Sequence, residues 1–252
     1  MPSLIVNDWQ MIAGLYSADL TVDQSQLYSL IYKIVCILSL SCANRVRADN
    51  IEKKMKKNNT ENRRSKNKVK IIAGRLRGRI IEFESGPNLR PTGNRLREQL
   101  FNWLSTFIQG AECADLFAGS GALSFEALSR GASHCLSIEK STNAANWLRH
   151  NAQKMQENRI KIANADSCCL VKQRPPFPFD IIFIDPPFSA NYIGDLCIDL
   201  EVNGWLKPIG FIYIEAPIKR VFFQGPTNWD LWRQNVSGRV ESRLYKRIET
   251  CK

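Results

Sequence analysis

From Glu112 onward the chain alternates between two hydrophobic rhythms. Short apolar runs, CADLFAG, HCLSIE, IKIANAD and FDIIFID, are each followed by a segment of helical or turn character. Between them lie GALSFEALSRG, TNAANWLRHNAQKM, a short turn or helix after Asp166, and a helix running to Leu200. A further apolar run, IGFIYIEAP, leads into two late strands near DLWRQNV and ESRLYKRI. Strands alternating with helices predict a doubly wound α/β sheet. Upstream, KVKIIAGRLRGRIIEF alternates apolar and basic residues around two glycines, which predicts a hairpin. Arg75, Arg77 and Arg79 share one parity there and are expected on one face. Leu96, Leu100, Trp103, Leu104 and Phe107 follow at helical spacing, with Thr92 expected as the N-cap. That stripe reads as core packing.

The first 54 residues have a different character. The run 27–43 is apolar but contains Lys33, and it falls short of the roughly 20 residues a membrane span needs. Asp8, Asp19 and Asp23 precede it with no Lys or Arg among them, which does not fit a secretory signal. A translation start at Met55 is an open alternative, since KKNNTENRRSKNK reads as a disordered basic N-terminus.

Charge sharpens this division. The net charge is +11, and residues 45–79 alone hold fourteen Lys/Arg and three Asp/Glu, so 14 − 3 = +11. The remainder balances at 21 basic and 21 acidic residues. A neutral body with one basic arm fits a polyanion held at one edge, although a merely solvated tail has the same signature. The eight cysteines include no Cys-x-x-Cys pair and there are only two histidines, so the spacing offers no zinc site and no metal is expected. Cysteines set in apolar runs suit a reducing compartment, and the expected location is the cytoplasm.

The candidate chemistry sits at the ends of the apolar runs. After the first, Asp115-Leu116-Phe117-Ala118-Gly119-Ser120-Gly121 opens a helix, and its glycines let backbone approach a ligand. The third glycine of a dinucleotide fingerprint is missing, which disfavours NAD. Glu139 ends the second run and could accept ribose hydroxyls. Asp166 ends the third, where an adenine contact and an N-cap are equally open. The fourth stops at Asp185-Pro186-Pro187-Phe188. Its prolines stiffen the loop and leave carbonyls free, Asp185 adds an acceptor, and Phe188 offers a flat surface. An exocyclic amine on a nucleobase needs acceptors for its hydrogens and a ring to stack on. The motif has no cysteine nucleophile, which excludes a C5 pyrimidine methylase that works through a covalent adduct.

In combination, DLFAGSGALSFEALSRGA, SIEK, NADS and FDIIFIDPPF resemble the class I S-adenosylmethionine-dependent methyltransferases. IIAGRLRGRIIEF, LRPTGNRLREQLFNWL, NGWL, IYIE and RLYKR narrow the resemblance to the bacterial 16S ribosomal RNA guanine-N2 methyltransferases of the RsmD type, which modify guanine 966. The similarity covers about residues 69–249, and Gly93-Asn94 departs from the family pattern at a helix start. It implies a Rossmann-like fold with a mostly parallel seven-stranded sheet flanked by helices and a small N-terminal hairpin and helix extension. The implied organisation is an extension of unknown role (1–54), a basic disordered arm (55–68), an RNA-contacting hairpin and helix (69–111) and the methyltransferase domain (112–252).

The resemblance implies that Asp115, Phe117, Gly119, Ser120 and Gly121 cradle the methionine part of S-adenosylmethionine, with S-adenosylhomocysteine as product. Glu139 would serve the ribose and Asp166 the adenine. Asp185 and the Pro186 carbonyl would hold the guanine amine beside Pro187, with Phe188 stacked on the base. Arg75, Arg77, Arg79, Arg90, Arg95 and Arg97 would lie near RNA in the small subunit or an assembly intermediate. A monomer with no membrane partner is implied. Two other readings stay open: an adenine-N6 methyltransferase sharing the Asp-Pro-Pro-aromatic motif, and an inactive RNA-binding module.

Overall fold

A computed structural model describes residues 66–84, 93–187, 192–218 and 225–248. The chain divides into two units, Met1–Arg63 and Arg64–Lys252, and every described residue belongs to the second. The readings made for 1–54, for the arm up to residue 65, for Arg90 and for Phe188 lie outside the described residues. Lys66 to Lys68, assigned to the arm from sequence, are already paired in a strand.

Two strands, β1 (Lys66–Lys70) and β2 (Ile80–Glu84), form an antiparallel hairpin. Helix α1 (Asn94–Trp103) follows. The main sheet then builds from β3 (Glu112–Asp115), β4 (His134–Ile138), β5 (Ile160–Ala163), β6 (Phe179–Ile184), β7 (Leu206–Pro217), β8 (Trp229–Ser237) and β9 (Val240–Arg247). Helices α2 (Ala122–Ser129), α3 (Thr142–Met155), α4 (Ser167–Leu170) and α5 (Ile193–Val202) connect them. The strand order is β5-β4-β3-β6-β7-β9-β8, parallel from β5 to β7, with β9 antiparallel to both neighbours. This is the α/β sheet expected from the alternation, with the seven strands that the family resemblance implied. The order reverses between β3 and β6, and that switch point opens a crevice beyond the strands' carboxyl ends.

The unbroken apolar run in β6 has a direct cause. Ile182 and Ile184 pack with Ile193, Leu196 and Leu200 of α5 on one face. Ile181 and Phe183 pack with Leu100 and Phe101 of α1 and Leu123 and Leu128 of α2 on the other. With both faces covered, neither parity can be polar. Along α1, Leu96, Leu100 and Leu104 are buried as the stripe predicts, but Phe107 is 40% exposed and α1 ends at Trp103. The N-cap position is Gly93, which has no side chain to cap with, and Thr92 lies outside the described residues.

The hairpin packs Val69, Ile71, Leu76, Ile81 and Phe83 against Phe125 of α2 and Leu148, Ala152 and Met155 of α3. Polar bonds tie it down further. Glu126, fully buried on α2, accepts from the backbone N–H of Ile72 (2.8 Å) and Ala73 (3.1 Å). Ser129 Oγ accepts from Leu76 N, and Asn151 pairs with both the N–H and C=O of Glu82. Gly74, at φ 82°, lies so close to the Ser129 carbonyl that any Cβ there would overlap it. The arginines expected on one strand face sit instead on the loop between β1 and β2, because turns at Gly74 and Gly78 break the alternation.

Candidate functional site

Four strand ends meet at the carboxyl edge of the sheet. After β3 the chain turns through Gly119 (φ 51°) and Gly121 (φ 83°) into α2. Gly121 cannot carry a side chain: a Cβ would come within 2.5 Å of Leu148 Cδ2 and 2.9 Å of the Phe125 ring. Its packing role and its role in presenting backbone at the helix start are therefore one constraint. Ser120 is buried in this turn.

Asp115 lies beneath the turn and is 1% exposed. Ser124 Oγ donates to its Oδ2 at 2.6 Å, and Ser137 Oγ donates to Ser124 Oγ at 2.8 Å. Its other oxygen, Oδ1, is buried without a hydrogen-bond partner among the described residues. The carboxyl is raised to about 7, by burial first and by the Asp185 and Glu139 charges, against the hydrogen bonds of Ser124 and the Phe117 N–H, which pull it down. A buried acceptor left open beneath a helix N-terminus fits a cationic amino group such as that of a methionyl ligand.

Glu139, just past β4, joins the strand end to the glycine turn. Its Oε2 accepts from Gly119 N at 2.8 Å and its Oε1 from Ser141 N at 2.7 Å. Each oxygen keeps a lone pair for a ribose hydroxyl. Asp166 caps α4 through Cys168 N at 3.0 Å and pairs with Lys140 Nζ at 2.8 Å. The Lys140 hydrogen bond holds the Asp166 carboxylate below its ordinary range. An adenine amine would share Asp166 with that exposed lysine.

Asp185 and Pro186 leave the end of β6, adjacent to β3 in the sheet. Asp185 is half-buried, Pro186 buried and Pro187 exposed. Phe117 faces Tyr192 across the crevice with ring centroids 6.3 Å apart. Tyr192 returns from the Asp-Pro-Pro-Phe loop at the start of α5 and had no signal in sequence beyond being aromatic. Glu215 on β7 carries no signal in sequence beyond its place in IYIE, yet it is 6% exposed at this edge and raised to about 8 by burial and by Asp185.

The arginines divide. Arg75, Arg77, Arg79 and Arg95 are exposed, with Arg75 hydrogen-bonded to Glu157. Arg97 corrects the expectation of an RNA contact. It is 0% exposed, donates to the Lys70 carbonyl and Asn94 Oδ1, and lies 3.7 Å from Glu126. Such a guanidinium joins α1 to the hairpin and cannot reach a phosphate.

The family described as Conserved hypothetical protein 95 matches residues 69–246. The chain belongs to this family. Within it, Ribosomal RNA small subunit methyltransferase D of Haemophilus influenzae is 42% identical over 195 residues, 76% of this chain and 100% of that protein. The protein of the same name from Escherichia coli K12 is 39% identical over 179 residues, covering 71% and 90%. The solved structure of Escherichia coli yhhF superposes with a TM-score of 0.67 at 37% identity, over 72% of this chain and 99% of that one. A solved structure from Haemophilus influenzae gives 0.62 at 38% identity, over 73% and 100%. The Conserved hypothetical protein 95 match begins at Val69, so the hairpin that carries the exposed arginines is part of the family's fold. Among the described residues no acid, cysteine and histidine cluster could hold a metal, and no helix is long and apolar enough to cross a membrane.

Proposed function

We propose that this protein methylates ribosomal RNA with S-adenosylmethionine, at the exocyclic N2 amine of the guanine corresponding to position 966 of 16S RNA. The observation that carries this reading is the convergence at one crevice of Asp185-Pro186 and the open oxygen of Asp115. This puts an amine acceptor on a stiff loop at the same sheet edge as groups that suit a cationic, ribose-bearing ligand. The names of the relatives support ribosomal RNA as the substrate class.

In this reading Asp115, Phe117, Gly119, Ser120 and Gly121 hold the methionyl part of the cofactor, Glu139 the ribose and Asp166 the adenine. Bound there, the cofactor supplies a methyl group activated by a sulfonium. Asp185 and the Pro186 carbonyl accept the two N–H groups of the guanine amine and aim its lone pair, with Pro187 keeping the loop stiff. Phe188, outside the described residues, stacks on the base. Positioning and fixed dipoles do most of the work, and the amine gives up one proton for each methyl gained. Arg75, Arg77, Arg79 and Arg95 hold RNA phosphates, so binding weakens as salt rises. The protein acts as a cytoplasmic monomer on RNA in the small subunit or an assembly intermediate.

The test uses small ribosomal subunits from a strain lacking the gene. They are incubated with the protein and labelled S-adenosylmethionine, and the labelled nucleoside is identified. N2-methylguanosine at one site is the expected product. N6-methyladenosine would overturn the base assignment, and absence of label with cofactor still bound would overturn the substrate.

A further inference from the structure

Glu215 is a buried acid with no place in the cofactor cradle. On β7 it lies one residue past Ile214, whose register partner on β6 is Ile184, so Glu215 and Asp185 occupy neighbouring positions at the sheet edge. Tyr213 Oη, two residues back on the same face, donates to Glu215 Oε2 at 3.0 Å. That bond engages Oε2, so Oε1 is the oxygen from which a neutral Glu215 would donate to another neighbour.

We infer that Glu215 is a positioning residue that works as a neutral acid, donating from Oε1 toward Asp185 so that the Asp185 carboxylate stays oriented to accept from the substrate amine. This rests on the methyl-transfer reading above and assigns Glu215 no contact with substrate or cofactor. The surroundings agree in sign. Burial and the Asp185 charge push Glu215 up to about 8, so the protonated form dominates at neutral pH. The groups facing it are Tyr213 on its own strand, Asp185 from β6 and Ser242, its register partner on β9. On α1, Arg97 is engaged with Glu126, Lys70 and Asn94. Tyr213 is itself pushed up by burial and remains a donor.

When the amine is methylated its released proton passes to Asp185 and then to solvent. A neutral Glu215 neither competes for that proton nor repels the Asp185 charge. Once Glu215 ionises, two adjacent carboxylates compete for one proton, and Asp185 loses its fixed orientation.

The test compares full-length wild type, Glu215→Gln and Glu215→Leu on small subunits across pH. Glutamine donates from its amide and accepts from Tyr213, as the neutral acid does. Wild-type kcat is expected to fall more than about tenfold from about pH 7.5 to about pH 9.5. Glu215→Gln is expected to hold kcat near neutrality and to lose most of that alkaline fall, while Glu215→Leu loses kcat at every pH. Titrations of guanine and cofactor are common to all three proteins and cancel. Equal behaviour of the Gln and Leu variants, or an unchanged alkaline limb in Gln, overturns the inference. If the variants do not fold, infrared spectroscopy of wild type labelled with 13C-glutamate decides instead. A labelled protonated-carboxyl band persisting at neutral pH supports it and its absence overturns it. If wild type makes no N2-methylguanosine, the proposed function fails first, and the infrared result still reports on Glu215.

Discussion

Replacing Asp115 with asparagine separates this side chain's charge from its shape. In the fold its carboxyl is raised to about 7 from an ordinary 3.8. A folded value above the unfolded one means that the native state binds the proton more tightly. The group thus weakens folding progressively as pH rises from 3.8, and the loss is complete above about 7. Between about pH 5.5 and about pH 8 the further loss is about 2 kcal/mol. For a domain of this size about 2 kcal/mol corresponds to about 4–8 °C in Tm. Asparagine keeps an oxygen for Ser124 and leaves an amide at the open position, a penalty of about 1–3 kcal/mol that does not vary with pH. The absolute Tm difference is therefore uninformative, and its slope with pH is the signal. Melting curves of both proteins across this range should show the variant gaining on wild type by about 4–8 °C toward alkaline pH. Glu215 titrates in both proteins and largely cancels. Added S-adenosylmethionine should raise the Tm of wild type more than that of the variant at about pH 8, because its ammonium pairs only with the wild-type carboxylate. A Tm difference constant with pH would refute the reasoning, since Asp115 would then ionise in the fold as it does in water.

Three further outcomes are expected. Asp185→Ala should cut methyl transfer by at least about 10²-fold while the cofactor Kd, read by calorimetry, changes little; retained turnover would remove Asp185 from the site. Glu126→Ala, which leaves the Ile72 and Ala73 N–H groups without their acceptor and the buried Arg97 without its counter-charge, should cost about 3–5 kcal/mol in denaturant unfolding. Amide exchange in that variant should rise first in the hairpin. The double variant Arg77→Ala, Arg79→Ala should bind small subunits more weakly and lower the salt slope of log K by roughly 1–2, with no change in cofactor affinity.

Much of this fold was legible in the chain. CADLFAG, HCLSIE, IKIANAD, FDIIFID, IGFIYIEAP and the two late strands all joined one sheet, and where a strand is covered on both faces, as β6 is, both parities are apolar. The positions of Asp115, Glu139, Asp166 and Asp185 followed, since residues that end parallel strands share the carboxyl edge. Periodicity failed where glycine turns replaced it. Arg75, Arg77 and Arg79 keep their alternation in sequence but lie on a loop. Arg97 shows the other limit. The family resemblance implied RNA contact for it, and only the docking of α1 beside Lys70 and Glu126 makes it a buried link. Glu126 and Glu215 carry no local mark that distinguishes them from surface acids. Their roles arise from neighbours 54 residues away in one case and on an adjacent strand in the other. Sequence determined which backbone runs are strands and what chemistry stands at their ends, because both are local properties. Tertiary structure alone decided which charges lose water, because desolvation depends on what packs over a residue and not on what flanks it in the chain.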